Sequence, residues 1–158
     1  MLPRYDTPAE AVARAPRGGS VLLLADDYPD KPTTLDSGLW EQVFDKSLRL
    51  YVEYPSWLPG LDVAPPRTAQ WHRLVVASDA FLPELPRLRI LQVHDCHFIP
   101  VRAANADLVL ARVAGFDSAL YGLPENDVSP ILFRHRRGNI LIATTKLSHF
   151  MTARYAPA

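Results

Sequence analysis

Residues 20–27 read SVLLLADD, and this stretch decides the fold that the sequence predicts. The run from Ser20 to Ala25 follows a Gly-Gly turn and has the length of a β-strand. A continuous apolar run of this length is typical of a strand that is buried on both faces, as in a parallel sheet covered by helices. Two carboxylates, Asp26 and Asp27, follow directly. The stretch therefore predicts a central strand of an α/β fold with polar groups at its carboxyl end.

The next segment predicts that this strand belongs to a strand-helix-strand unit. Asp36 is a suitable N-cap for a helix from Ser37 to about Lys46, in which apolar residues recur at helical spacing. β-branched and aromatic residues in the segment 48–54 favour a second strand. A helix between two strands is the usual connection of a parallel pair.

The other elements complete a mixed sheet. Residues 1–17 predict an N-terminal arm with a short helix at 8–15, and residues 72–77 and 89–93 predict two more parallel core strands. Prolines in the segment 54–67 predict a long, structured surface loop. Four short runs then follow one another through turns: residues 107–113, 118–123, 131–135 and 139–143.

The turn at Gly138-Asn139 predicts a hairpin, and hence antiparallel strands near the C-terminus. A last helix at residues 146–154 is expected to close the fold. The prediction is a single domain over residues 1–158. Its fold class is α/β, with an open mixed, mainly parallel sheet flanked by helices and an antiparallel C-terminal extension.

Composition excludes several classes of function. Seventeen basic and seventeen acidic residues give no net attraction for nucleic acid or an anionic membrane surface. The sequence contains neither a membrane-spanning apolar run nor the apolar core of a signal peptide, which predicts a soluble chain, cytoplasmic as written; a piece of a longer exported protein could have lost its leader. A single cysteine allows no internal disulfide. The sequence leaves homo-oligomers open.

No cofactor or metal is predicted. The segment after the first strand lacks the glycines that let backbone N–H groups approach a phosphate, which argues against nucleotide binding. The five histidines and one cysteine do not show the Cys-x-x-Cys or His-x-x-x-His spacing of zinc sites.

Polar residues follow several of the predicted strands. In an open α/β sheet, ligands bind outside the carboxyl ends of the strands, so these residues are candidates for ligand binding. The candidates are Asp26, Asp27, Glu53, Ser78 and Asp79. Trp57 joins them because an exposed aromatic ring in a proline-rich loop can stack on a sugar ring or dock against another domain.

The segment His94-Asp95-Cys96-His97 carries the densest set of reactive side chains. Cys96 could act as a nucleophile if His94 or His97 served as its base. Neighbouring residues of a strand point to opposite faces, however, which places His94 with Cys96 and Asp95 with His97. Free cysteine is also among the most buried residue types. A structural Cys96 at the end of a core strand is therefore the favoured interpretation, with a small hydrolase or transferase as the alternative.

The order of these elements resembles the class I glutamine amidotransferase-like fold, which is flavodoxin-like. Four segments, YVEYP (51–55), VAGFD (113–117), IATTKLS (142–148) and ARYAP (153–157), look like accessory domains of that fold in bacterial multidomain glycoside hydrolases. The resemblance spans about residues 18–156. It implies an accessory domain whose partner is a carbohydrate or an adjoining catalytic domain.

The chain departs from the active members of that family. Their nucleophilic cysteine lies in a Gly-x-Cys-x-Gly turn, whereas Cys96 has no glycine beside it. Their His-Pro-Glu would align near Thr144, Thr145 and Lys146, which cannot supply a base and its carboxylate. The resemblance therefore implies a noncatalytic domain.

Overall fold

The computed structural model describes residues 3–93 and 95–148, and most of its regular structure is sheet. Within these residues there are two short helices, α1 (Pro8–Arg14) and α2 (Ser37–Asp45). The strands are β1 (Ser20–Leu23), β2 (Arg49–Glu53), β3 (Arg67–Thr68), β4 (Arg73–Val76), β5 (Ile90–Leu91), β6 (His97–Phe98), β7 (Ala106–Ala111), β8 (Ser129–Arg134) and β9 (Asn139–Ala143).

Seven strands form one mixed sheet in the order β1-β2-β9-β8-β7-β4-β5, and β3 pairs with β6 in a separate ribbon. The neighbours β1, β2 and β9 are parallel, and every other pair of the large sheet is antiparallel. The prediction of a mixed sheet is confirmed. The prediction that the sheet is mainly parallel and flanked by several helices is wrong for the described residues.

The error lies in β4 and β5, which the sequence predicted as parallel core strands. They pair antiparallel with each other, and β4 pairs antiparallel with β7. Parallel neighbours need a crossover, usually a helix, whereas the chain between β4 and β5 consists of turns with prolines at 83 and 86. Without a crossover helix, the chain reverses and the second strand runs back along the first.

The strand-helix-strand unit is confirmed. β1 and β2 are parallel, with Val21 opposite Leu50 and Leu23 opposite Val52. Helix α2 begins after Asp36, whose Oδ1 accepts a hydrogen bond from the Leu39 N–H at 2.8 Å. The short N-terminal helix and the β8–β9 hairpin around the Gly138 turn are confirmed as well.

Two other predictions fail, and one falls outside the described residues. Residues 54–67 are not a surface loop throughout, because Tyr54 and Leu58 are buried and residue 55 bridges to Thr33. Residues 118–123 form no strand; Ser118 only makes an isolated bridge to Arg89. Of the predicted C-terminal helix, residues 149–154 lie outside the described part of the chain.

The main core lies between the helices and one face of the parallel strands. Val21, Leu50 and Ile142 pack there against Trp40 and Val43 of α2. A second core covers the opposite face of the antiparallel strands and includes Leu74, Leu110 and Cys96. The two cores therefore lie on opposite faces and mainly in different halves of the sheet. Within the described residues, neither helix has the length and apolar character needed to cross a membrane.

Replacing the N-cap of α2 tests the local origin of this helix. We expect Asp36→Ala to lower the free energy of unfolding by about 1 kcal/mol, because the Leu39 N–H loses its acceptor at the helix start. Asp36→Asn keeps an acceptor and should stay near the parent. Urea unfolding followed by circular dichroism measures both; equal losses in the two variants would contradict a capping role.

Candidate functional site

The carboxyl ends of β1, β2 and β9 meet at one edge of the sheet, which we call the carboxyl edge. Ala25 follows β1, Glu53 ends β2, and Thr145 lies just after β9. The chain that leaves β5 reaches the same edge, where Cys96 Sγ lies 3.4 Å from Thr145 Oγ1. Glu53 and Cys96, two polar residues that the sequence places at strand ends, both lie at this edge.

Glu53 is completely buried, and both of its carboxylate oxygens accept two hydrogen bonds. Oε1 accepts from the Tyr51 hydroxyl and the Ser148 N–H, both at 3.0 Å. Oε2 accepts from the Ser148 hydroxyl at 3.1 Å and the Ala25 N–H at 3.3 Å. A buried carboxylate needs such partners to offset the loss of water. Glu53 therefore holds the sheet edge together and has no free face for a ligand.

The environment of Glu53 also changes the pKa of the neighbouring Tyr51 hydroxyl. Burial raises the pKa of the Tyr51 hydroxyl far above its ordinary value, and the adjacent Glu53 carboxylate adds to the rise. The hydroxyl therefore remains protonated at any physiological pH and donates to Glu53. Tyr51 acts here as a fixed donor and not as an acid.

Cys96 is 1% exposed and lies in the second core. Burial raises the pKa of its thiol to about 11, an effect that the Thr145 and Tyr28 hydroxyls partly offset. Among residues 3–93 and 95–148, no imidazole is hydrogen-bonded to the sulfur. The favoured interpretation of Cys96 as a buried core residue agrees with this geometry. His94, the other proposed base, lies outside the described residues.

His97 is held through its backbone, whose carbonyl also accepts a weak hydrogen bond from the Cys96 thiol at 3.8 Å. Its N–H donates to the Tyr28 hydroxyl at 2.7 Å, and its carbonyl accepts from the Thr145 hydroxyl at 2.7 Å. Its ring Nδ1 lies 3.2 Å from the Asp95 carbonyl oxygen. Tyr28, Thr145 and His97 therefore form a structural network that closes the carboxyl edge around Cys96.

The remaining candidates do not join this network. Asp26 and Asp27 are exposed, and neither carboxylate accepts a hydrogen bond from the described residues. Ser78 donates to Asp107 Oδ1 at 2.6 Å, and Asp79 is exposed. β4 runs opposite to the parallel strands, so its end lies at the other edge of the sheet. The expectation that Ser78 and Asp79 share a site with Glu53 is therefore wrong.

Trp57 lies in a different place from the carboxylates with which the sequence grouped it. It is 39% exposed, as expected, and borders an open groove of about 420 Å³ along α2. The groove also contains Phe44, whose ring lies 4.0 Å below the Arg137 guanidinium, and the exposed carboxylate of Glu41. We call it the Trp57 groove. Aromatic rings beside a carboxylate and a guanidinium can stack on a sugar and bind its hydroxyls.

Sequence reasoning missed several residues of these sites. Ser148 and Tyr28 complete the carboxyl edge from positions far from Glu53 and Cys96, and single polar residues give no local signal of that role. Glu41 and Arg137 border the Trp57 groove, and neither is among the candidate residues of the sequence analysis. No group of three or more metal-ligating side chains is found in the described ranges.

Comparison with protein-family models, with curated proteins and with solved structures finds no match to this chain.

A conservative change at Glu53 tests its structural role. Glu53→Gln replaces one acceptor by a donor, so at least one buried donor among Ala25, Tyr51 and Ser148 loses its partner. We expect the free energy of unfolding to fall by about 1–3 kcal/mol. Asp26→Asn, at an exposed carboxylate of the same edge, should change it by less than about 0.5 kcal/mol. Chemical denaturation measures both, and a Glu53→Gln variant as stable as the parent would refute the role.

Proposed function

We propose that this chain is a noncatalytic accessory or interaction domain of a carbohydrate-processing protein. The observation that carries the proposal is the closed carboxyl edge. Where an open α/β fold would bind its ligand, the buried Glu53 and Cys96 side chains contact other residues of the same chain. A site whose reactive groups are already buried and hydrogen-bonded offers a substrate neither access nor a free partner.

The chemistry of Cys96 supports the same conclusion. The thiolate is the nucleophilic form of cysteine, and a pKa of about 11 leaves about one thiol in ten thousand ionised at pH 7. Catalytic cysteines have lowered pKa values and are partly exposed. Cys96, by contrast, has a raised thiol pKa and is buried. The alternative of a hydrolase or transferase with Cys96 as nucleophile is disfavoured for this reason.

The link to carbohydrate comes from the resemblance to amidotransferase-like accessory domains of glycoside hydrolases. In that proposal the chain has a flavodoxin-like, amidotransferase-like fold and has lost the catalytic residues of the active members. The position expected for the family's histidine or glutamate contains Thr145, whose hydroxyl donates to the His97 carbonyl instead. The β1-α2-β2 unit and the strand β9 are the parts of the fold that support the family assignment.

The Trp57 groove is the surface that fits a sugar best. Trp57 offers a partly exposed ring, Glu41 a carboxylate, and Ser37 a hydroxyl, all at the border of one groove. These are the groups that recognise the apolar face and the hydroxyls of a pyranose ring. We assign sugar binding to this groove and not to the carboxyl edge.

The reactivity of Cys96 tests the noncatalytic part of the proposal. In the folded protein we expect iodoacetamide to react slowly at pH 7 and to accelerate only as the pH approaches about 11, because the thiolate becomes populated there. In denaturant the apparent pKa should fall to about 8.5 and the reaction should become fast. Mass spectrometry of samples quenched at each pH gives both rates. Fast alkylation of the folded protein near neutral pH would contradict the proposal and support the enzyme.

The sugar-binding part has a separate test with a matched control. Affinity electrophoresis through gels that contain soluble cellulose, xylan or starch derivatives should retard the parent protein on at least one polysaccharide. Trp57→Ala should abolish that retardation, since the stacking ring is lost. Trp71→Ala, at a 91% exposed tryptophan outside the groove, should leave it unchanged. Retardation by none of the polysaccharides would remove the carbohydrate link and leave protein interaction as the function.

A further inference from the structure

Within the described residues, helices α1 and α2 cover one face of the parallel strands. On the other face, side chains of β1, β2, β9 and β8 border an open concavity of about 570 Å³. We call this surface the open sheet face and define it by Leu22, Tyr51, Leu141, Arg49 and Arg134. It lies opposite the main core and away from the Trp57 groove, with which it shares no residue.

The register places the apolar side chains of this face in one row. Leu22 is opposite Tyr51, and Tyr51 is opposite Leu141 on the next strand. Leu22 is 61% exposed and Leu24, just after β1, is 44% exposed, while Tyr51 and Leu141 are half-buried. The Tyr51 hydroxyl is bound by Glu53, so the ring is held in place. The row is therefore a fixed apolar surface across three strands.

An uncovered face of this kind is unusual for parallel strands. Such strands occur almost only where both faces are covered, because they are apolar on both sides. A contiguous apolar patch on a soluble domain commonly marks an interaction site. Among residues 3–93 and 95–148, the second core partly covers Tyr51 and Leu141, whereas Leu22 and Leu24 remain exposed at the β1 side of the open sheet face.

The charges around the row are of one sign. Arg49 and Arg134 border it, both are exposed, and within the described residues neither forms an ion pair. None of the residues that border the concavity is acidic. A partner that covers this face must therefore supply carboxylates to complement two guanidinium groups.

The width of the face fits one helix. Adjacent strands lie about 4.8 Å apart, so the three-strand row spans about 10 Å, which is close to the diameter of an α-helix with its side chains. We propose that the open sheet face binds an amphipathic α-helix of a partner protein or adjoining domain. Its apolar stripe packs on Leu22, Tyr51 and Leu141, and its carboxylates pair with Arg49 and Arg134. The inference rests on the proposed function, since it names the interface of the interaction domain.

Two designed peptides test the chemistry of the partner. Both carry leucine at positions i, i+3, i+4 and i+7 of a fluorescently labelled helix; one has glutamate on the flanks of the stripe and the other has lysine. Fluorescence anisotropy with the full chain should show at least about tenfold tighter binding of the glutamate peptide, and about 0.5 M salt should reduce the difference. Equal binding of both peptides, or binding of neither, would overturn the proposal.

Variants locate the binding surface. Leu22→Lys should weaken binding of the glutamate peptide by at least about tenfold, and the pair Arg49→Glu and Arg134→Glu should reverse the preference between the peptides. The controls are Leu120→Lys, at a 69% exposed leucine elsewhere, and Arg87→Glu, at another exposed arginine; both should bind like the parent. All five substituted sites are exposed, so circular dichroism should show unchanged folding. Equal weakening by the controls would overturn the assignment to this face.

Chemical labelling in the absence of peptide tests whether another occupant already covers the open sheet face. A cysteine placed by Leu22→Cys should react with a maleimide as fast as one placed by Leu120→Cys. Protection of position 22 would mean that residues 149–158 or a second copy already cover the face, and sedimentation would distinguish these two; either result overturns the proposal. A reactive Cys96 would instead refute the noncatalytic function, so the two failures are distinguishable.

Discussion

The buried Glu53 carboxylate is the constraint on which the arrangement of the carboxyl edge depends. A charge removed from water must be matched by donors, and Glu53 obtains them from three separate parts of the chain: Ala25, Tyr51 and Ser148. These contacts tie the end of β1 and the segment after β9 to the end of β2. Each oxygen of Glu53 already accepts two hydrogen bonds. The contacts that hold the edge together therefore also remove the Glu53 carboxylate from ligand binding.

The folded chain also determines the environment of Cys96. The chain between β5 and β6 folds over the carboxyl edge, and the hydrogen bonds of His97 to Tyr28 and Thr145 hold it there. Cys96 is thereby placed in the second core, where burial disfavours the thiolate. Cys96 thus becomes part of the packing. The two binding surfaces that we propose, the Trp57 groove and the open sheet face, lie away from this segment.

The two halves of the sheet explain why those surfaces exist. The antiparallel half is covered on both faces: Cys96 and Phe98 belong to the second core on one face, and Ala119 packs with Val75 and Val109 on the other. The parallel half has α1 and α2 on one face and keeps Leu22 exposed on the other. Where helices cover a single face of parallel strands, apolar side chains on the other face stay exposed. Burying these side chains against a partner is favourable.

Local sequence determined the parts of this protein that depend on near neighbours. The apolar run of β1, the Asp36 cap of α2 and the turn of the β8–β9 hairpin are each specified within a few residues, because periodicity, capping and turn chemistry act at short range. The partial exposure of Trp57 was predicted from its place in a proline-rich loop.

Tertiary structure alone decided the direction of β4 and β5, the burial of Glu53 and the groove partners of Trp57. Each depends on groups distant in sequence: Ser148, which completes the shell around Glu53, lies 95 residues away. The sequence therefore predicted polar residues such as Glu53 at the carboxyl edge, but it did not predict their hydrogen bonds to other parts of the chain. Whether a polar side chain is free for a ligand depends on which donors and acceptors the folded chain brings to it, and no local pattern encodes that.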